Sequence, residues 1–80
     1  MLSDRDRAVL DFEASWWHYP APKDLAIREH LGISATRYYQ ILRRIIDDPE
    51  ALEHDPLTVR RIRKVRAEGR KRRVESRLGE

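Results

Sequence analysis

The stretch DLAIREHLGISATRYYQILRR, residues 24–44, decides the fold. Apolar residues recur at helical spacing on both sides of Gly32, which predicts two helices joined by a short turn. Gly32 suits the left-handed conformation that ends a helix, and Ser34 suits the cap of the next one, because its hydroxyl can accept a free backbone amide. The stretch therefore predicts a helix, a sharp turn and a second helix.

Five apolar positions of this stretch fall where two such helices need a shared core: Ile27, Leu31, Ile33, Tyr38 and Ile41. This spacing matches a helix-turn-helix, which presents its second helix to the major groove of DNA. The same pattern also occurs in helical corners with no nucleic-acid role. Arg28 departs from the small residue usual at this crossing, so either its aliphatic stem lies across the contact or the helices cross more loosely.

The outward surface of the second helix carries side chains suited to a duplex. Gln can pair with adenine and Arg with guanine, Thr and Ala can meet the thymine methyl, and hydroxyls can hold phosphates. The predicted base contacts are Ser34, Ala35, Thr36, Tyr39, Gln40 and Arg43. Arg37 and Arg44 flank them as predicted phosphate contacts.

The rest of the chain predicts further helices and no strands, hence an all-α fold, a small bundle of about four helices. A first helix is expected from the Ser3 cap to about His18, and the helix after Ser34 should end near Asp47. The run DDPEALEHDPL, residues 47–57, predicts a short turn at 49–53 and a new helix from Pro56, with Leu52 and Leu57 tied to the core.

The net charge of +3 is unevenly distributed. Residues 1–56 hold 7 Lys/Arg and 11 Asp/Glu, whereas residues 57–80 hold 10 and 3. Clustered cations favour a polyanion, most often nucleic acid, although a solvated basic helix gives the same pattern. We predict phosphate contacts from Arg60, Arg61, Arg63, Lys64, Arg66, Arg70, Lys71, Arg72 and Arg73. The domain should span residues 1–69, followed by a basic, disordered tail at 70–80, which has little apolar surface to bury.

Several classes are disfavoured. The chain has no cysteine, and His18, His30 and His54 are scattered, so neither a metal site nor a cofactor is expected. No Gly-rich phosphate loop or activated nucleophile is evident, which argues against an enzyme and a small-molecule substrate. No long apolar run or signal peptide occurs, so a cytoplasmic, nucleoid location without membrane contact is expected.

The neighbouring Trp16 and Trp17 cannot both point to one core. We expect Trp16 in the core and Trp17 at its edge, while Trp17 with His18 offers a possible protein interface, for a partner or a second copy.

A resemblance to a known family rests on three stretches of the sequence: SDRDRAVLDFEASWWHY, SATRYYQILRRIID and PEALEHDPLTVRRIRKVR. Together they resemble a family of small actinobacterial and actinophage proteins, catalogued as a domain of unknown function with a helix-turn-helix assignment. The resemblance covers the chain to about residue 66. It implies a DNA-binding fold of the transcription-factor kind and no particular target or reaction.

The sequence thus predicts a protein that binds double-stranded DNA with sequence preference, a transcriptional regulator or nucleoid-type binder. One helix reads few base pairs, so a homodimer, a second contact from the tail or another protein should assist. The alternatives are an adaptor docking on the transcription machinery through the Trp17 region, and RNA binding by the arginine-rich end.

Overall fold

In the computed structural model the backbone is described for residues 1–78 and the side chains for residues 1–71. Within residues 1–78 the chain forms five α-helices, one short 3₁₀ helix and no strand, which confirms the all-α class. The elements are α1 (Asp4–Glu13), the 3₁₀ helix (Trp16–His18), α2 (Lys23–Leu31), α3 (Ala35–Ile45), α4 (Pro49–His54) and α5 (Pro56–Leu78).

Helix α1 begins as predicted and ends earlier than predicted. Ser3 caps it by accepting the amide of Asp6, and the Asp6 carboxylate accepts the amide of Ser3 in return. The prediction of a helix to His18 was wrong, since α1 stops at Glu13. The break lets Tyr19 stack on Phe12 at 5.4 Å between ring centroids. A continuous helix would separate these positions by about 10 Å along its axis.

The core lies between α1, α2 and α3, and it is closed at one end by α4 and the start of α5. Its largest fully buried side chains are Val9, Leu10, Ile27, Tyr38, Ile41, Ile45, Ile46 and Val59. Trp16 packs against this cluster while Trp17 is 48% exposed, as expected for the two tryptophans.

Helices α2 and α3 meet at the predicted turn. Gly32 has φ +67°, the left-handed conformation that glycine adopts without strain, and the Ser34 hydroxyl accepts the amide of Arg37 at 3.1 Å. Arg28 is exposed, and the buried small residue of α2 is Ala26. The arginine stem therefore does not fill the inside of the corner.

The segment after α3 also differs in part from prediction. In place of the expected turn at 49–53 the structure has the six-residue helix α4, capped by Asp48. This helix raises the number of α-helices within residues 1–78 to five, where about four were predicted. Leu52 packs against the core, but the assignment of Leu57 to the core was wrong, because Leu57 is 78% exposed. Leu57 and the buried Val59 are two positions apart in the helix, which puts them on opposite sides of α5.

Helix α5 passes Gly69 without a break and reaches Leu78. The structure describes only the backbone of residues 72–78 and does not describe residues 79 and 80. The predicted disorder of residues 70–80 therefore stays a prediction. Within the described residues, no helix is long and apolar enough to cross a membrane.

Candidate nucleic-acid interface

The outward side of α3 carries three exposed polar residues without side-chain partners in the described part of the chain. Thr36, Gln40 and Arg43 are exposed, and their side chains form no hydrogen bond or ion pair within residues 1–71. Their three- and four-residue spacing places them on one side of the helix, opposite the buried Tyr38 and Ile45. The structure therefore brings together the amide, the hydroxyl and the guanidinium that the sequence assigned to base contacts.

The first two predicted base contacts are placed differently. Ser34 is exposed, and its hydroxyl already accepts the Arg37 amide as a helix cap, which leaves the hydroxyl hydrogen available as a donor. Ala35 is half-buried against the core. Thus Ser34 stays at the accessible end of α3, while Ala35 lies towards the inside of the molecule.

Tyr39 lies between the outward side of α3 and helix α5. Its ring is 38% exposed, meets the ring of Tyr38 edge-on at 5.1 Å, and has the Lys23 ammonium 5.2 Å from its centroid. A cation over an aromatic face stabilises that orientation of the ring. Tyr39 is accordingly accessible and held in place at the same time.

A buried polar network beneath Tyr39 joins α1, α2 and α3. The Tyr38 hydroxyl donates to the Glu13 carboxylate, and the Lys23 ammonium lies 2.9 Å from the same carboxylate. Burial, followed by the hydrogen bond to Glu13, raises the pKa of Tyr38 above its ordinary value of 10. Each buried polar group of this network has a partner, so the network fixes the position of α3 relative to α1 and α2.

The two arginines predicted to flank the base contacts have different surroundings. Arg37 is exposed and its side chain has no partner within residues 1–71. Arg44 donates to the buried carboxylate of Asp6 at 2.6 Å. Burial alone raises the pKa of Asp6, but the hydrogen bond and charge of Arg44, together with the Ser3 amide, lower it below its ordinary value of 3.8. Arg44 thus already has a structural partner.

Three arginines of α5 point back towards the body of the protein. Arg61 donates to the Glu13 carbonyl at 3.0 Å, and Arg63 donates to the Ile46 carbonyl at 2.7 Å. Arg66 makes two hydrogen bonds to Asp47, at 3.0 and 3.1 Å. The bond to Arg66 lowers the pKa of Asp47 and raises that of Arg66. These arginines fasten α5 to the ends of α1 and α3.

The opposite side of α5 carries free cations. Arg60, Lys64 and Lys71 are exposed and form no hydrogen bond or ion pair within residues 1–71. Their spacing of four and seven residues places them on one side of the helix, over about 16 Å. We call these three residues the outer stripe. Arg70 is also exposed and adds positive charge near Asp47, whereas the side chains of Arg72 and Arg73 lie outside the described residues.

Two cations near the outward side of α3, Arg28 and Lys23, were not predicted from the sequence as part of this surface. Arg28 lines a surface depression of about 370 Å³ together with Asp24, Ser34 and Thr36, so Arg28 lies beside the start of α3. Its position on α2, four residues before Gly32, is the sequence feature that indicates this placement. Lys23 contacts Glu13 and the Tyr39 ring, a role that the sequence pattern does not indicate.

The possible protein interface at Trp17 and His18 is exposed. The two rings meet edge-on at 5.8 Å, and the Arg61 guanidinium lies 5.1 Å from the centre of the Trp17 ring. His54 lies 2.8 Å from the Asp11 carboxylate, and His30 lies 3.9 Å from the Tyr19 ring. Within residues 1–71 no three His, Asp or Glu side chains are arranged to hold a metal ion.

Comparison with known proteins places the chain in a family. A family model described as a protein of unknown function, DUF3263, matches residues 1–74. The chain belongs to the DUF3263 family. The match extends beyond residue 66, where the sequence resemblance ended, and includes the part of α5 that carries the outer stripe. No curated protein and no solved structure matches this DUF3263 chain significantly.

Proposed function

We propose that this DUF3263 protein binds double-stranded DNA with sequence preference, as a transcriptional regulator or a nucleoid-type binder. The observation that carries the proposal is the unpartnered outward side of α3. Thr36, Gln40 and Arg43 are exposed beside a two-helix turn, and no part of the described chain covers them. A helix with this composition and exposure can enter the major groove and form hydrogen bonds with base edges.

Phosphate contacts are needed to position such a helix, and free cations are available for them. Arg37 lies on α3, Arg28 lies beside its first turn, and the outer stripe runs along α5. Arg44, Arg61, Arg63 and Arg66 are less suited to the task, because each already binds within the protein. We therefore assign the phosphate contacts primarily to the free cations, since phosphate contacts set affinity and register while base contacts set preference.

Selection from a pool of random duplexes at about 150 mM salt tests the proposal, followed by anisotropy titration of the selected and the random duplexes. The wild type should bind selected duplexes more tightly. The Gln40→Ala/Arg43→Ala variant should lose that preference, since each lost bidentate base contact costs about 1–3 kcal/mol of discrimination. Arg5→Ala removes an exposed cation from α1 and serves as the charge control.

The outer stripe is tested in the same titrations. An Arg60→Gln/Lys64→Gln/Lys71→Gln variant should weaken binding to all duplexes alike and reduce the slope of log affinity against log salt by up to about 3, because each phosphate contact contributes about 0.9. Equal wild-type affinity for selected and random duplexes would rule out sequence preference. An Arg5→Ala variant as defective as the α3 variant would show that only total charge matters.

A second candidate function is an adaptor that docks on the transcription machinery. It is favoured by the 48% exposure of Trp17, whose ring is already fixed by Arg61. Exposed, ordered aromatic side chains are frequent anchors of protein interfaces. Selection of no preferred duplex, together with intact folding, favours this second function.

A further inference from the structure

An open surface cleft of about 340 Å³ lies between helices α3 and α5. Its floor consists of the buried Leu42 and Ile46 and the half-buried Ile62. Its edges are formed by Tyr39, 38% exposed, and Val65, 59% exposed. A concave, largely apolar site is the usual form of a binding cleft.

The charged groups around the cleft give it a positive rim. Among the side chains of residues 1–71, Arg43 has no carboxylate partner, and Arg61 is bound to a carbonyl and an aromatic ring but to no carboxylate. Arg66 is paired with Asp47. Glu13, the one carboxylate among the described residues of the lining, is paired with Lys23. Two uncompensated guanidinium groups therefore border the apolar floor.

We propose that this cleft binds an acidic amphipathic helix of a protein partner. The apolar side of such a helix would cover the floor while its carboxylates meet Arg43 and Arg61. Tyr39 and Ile46, seven residues apart on α3, span about 10 Å, which matches two anchors spaced i and i+7 on a bound helix. Tyrosine and arginine at the edge are the residue types that contribute most to such interfaces.

A duplex is a poorer occupant of this particular site. Its accessible surface consists of phosphates, sugars and groove edges, which offer no large apolar groups to cover Leu42, Ile62 and Val65. A second copy that met this cleft with its own cleft is also disfavoured, because its α5 would bring cations towards Arg43 and Arg61. The charge of the rim thus favours an acidic protein segment.

The probe is a synthetic amphipathic peptide of about four helical turns, with leucines along one side and glutamates flanking them. Calorimetry measures its affinity for the full chain, and backbone NMR shifts locate the site. Saturable binding is expected, with the largest shifts at Tyr39, Ile62 and Val65. Val65→Glu should weaken binding at least tenfold, because it adds a charge to the apolar edge and repels the glutamates of the peptide.

The control is Leu57→Glu, the same kind of change on the same helix, at a position that is 78% exposed and outside the cleft lining. It should leave the affinity unchanged. Peptides with lysines in place of the glutamates, or serines in place of the leucines, should bind at least tenfold more weakly. Circular dichroism of both protein variants verifies that the exposed substitutions leave the fold intact.

Three outcomes would overturn the inference: no saturable binding of the acidic peptide, equal loss in Val65→Glu and Leu57→Glu, or equal affinity for the lysine peptide. A dimer in sedimentation velocity that Val65→Glu dissociates, together with no peptide binding, would assign the cleft to a second copy. The two proposals fail separately. Binding of the peptide through Val65 without binding of any duplex would support the peptide cleft and contradict the proposed DNA binding. Preference for a selected duplex without binding of the peptide would support DNA binding and contradict the peptide cleft.

Discussion

Asp6 lies buried at the start of α1 with only 3% of its surface exposed. The sequence indicates it merely as an acidic residue of a first helical turn, a position that favours negative charge. In the folded protein its carboxylate binds the Ser3 amide on one side and the Arg44 guanidinium on the other. One residue therefore caps α1 and ties it to α3, which explains why Arg44 is not freely available to a phosphate.

We expect Arg44→Gln to lower the free energy of unfolding at pH 7 by about 1–2 kcal/mol, because it leaves a buried acceptor without its charged partner. The figure is modest since the Arg44 side chain is 58% exposed and the pair is partly screened by water. Urea unfolding followed by circular dichroism measures it. Arg37→Gln, on the same helix without an ion pair, is the control and should change little.

The same pair gives a pH dependence with a defined sign. The pKa of Asp6 is lowered in the folded state, so its contribution to stability is fully present above the ordinary value of 3.8 and is lost as the pH falls below it. The difference between wild type and Arg44→Gln should therefore shrink in titrations taken below pH 3.8. A difference that persists unchanged in acid would contradict the assignment of the pair.

Among the elements, the turn between α2 and α3 and the middle of α5 each contain a glycine, in opposite situations. Gly32 has φ +67°, where any side chain adds backbone strain, although the space around it is open. Gly69 lies inside α5 with open space at the position of a Cβ. The same substitution should therefore have opposite effects at the two positions.

Gly32→Ala should lower the free energy of unfolding by about 1 kcal/mol, because the Cβ of alanine is strained against the backbone in the left-handed conformation. Gly69→Ala should raise the helicity of α5, and where that helix contributes to stability the gain is up to about 1 kcal/mol. Thermal and urea unfolding of the two variants, compared with wild type, measures both. Destabilisation by Gly69→Ala would mean that α5 is not a continuous helix through that position.

Helix α5 also shows a division of labour that composition alone does not reveal. All its cations contribute equally to the charge of the carboxyl-terminal segment. In the structure Arg61, Arg63 and Arg66 bind carbonyls and a carboxylate of the protein, while the outer stripe has no partner among the side chains of residues 1–71. The apolar residues of α5 lie on more than one side, as exposed Leu57 and buried Val59 show, so helical periodicity alone does not say which side of this helix meets the protein.

At the scale of the whole molecule, a chain of 80 residues buries a small core and should have modest stability. Any ligand that binds only the folded state then adds visibly to it. At a selected duplex concentration 100 times its dissociation constant, the added free energy is about 2.7 kcal/mol. For a domain of this size the melting temperature should rise by roughly 10–20 °C.

Scanning fluorimetry with increasing selected duplex measures this shift. The Gln40→Ala/Arg43→Ala variant should fold equally well alone and show a smaller shift at the same duplex concentration. A shift that is the same for wild type and variant would mean that the duplex does not contact α3 through these residues.

The sequence by itself determined the all-α class, the caps at Ser3 and Ser34, and the left-handed turn at Gly32, because these depend on local spacing and on the chemistry of single residues. It also identified Thr36, Gln40 and Arg43 on the outward side of α3, since the buried positions of an amphipathic helix define the opposite side, but it placed Ala35 there as well, which is half-buried against the core.

Only the tertiary structure decided where α1 ends, that Leu57 is exposed, and which arginines are bound internally. It also decided the Tyr38, Glu13 and Lys23 network and the cleft between α3 and α5. The physical reason is that these features join residues far apart in the chain. Their energies depend on how the helices pack against one another, which local spacing does not specify.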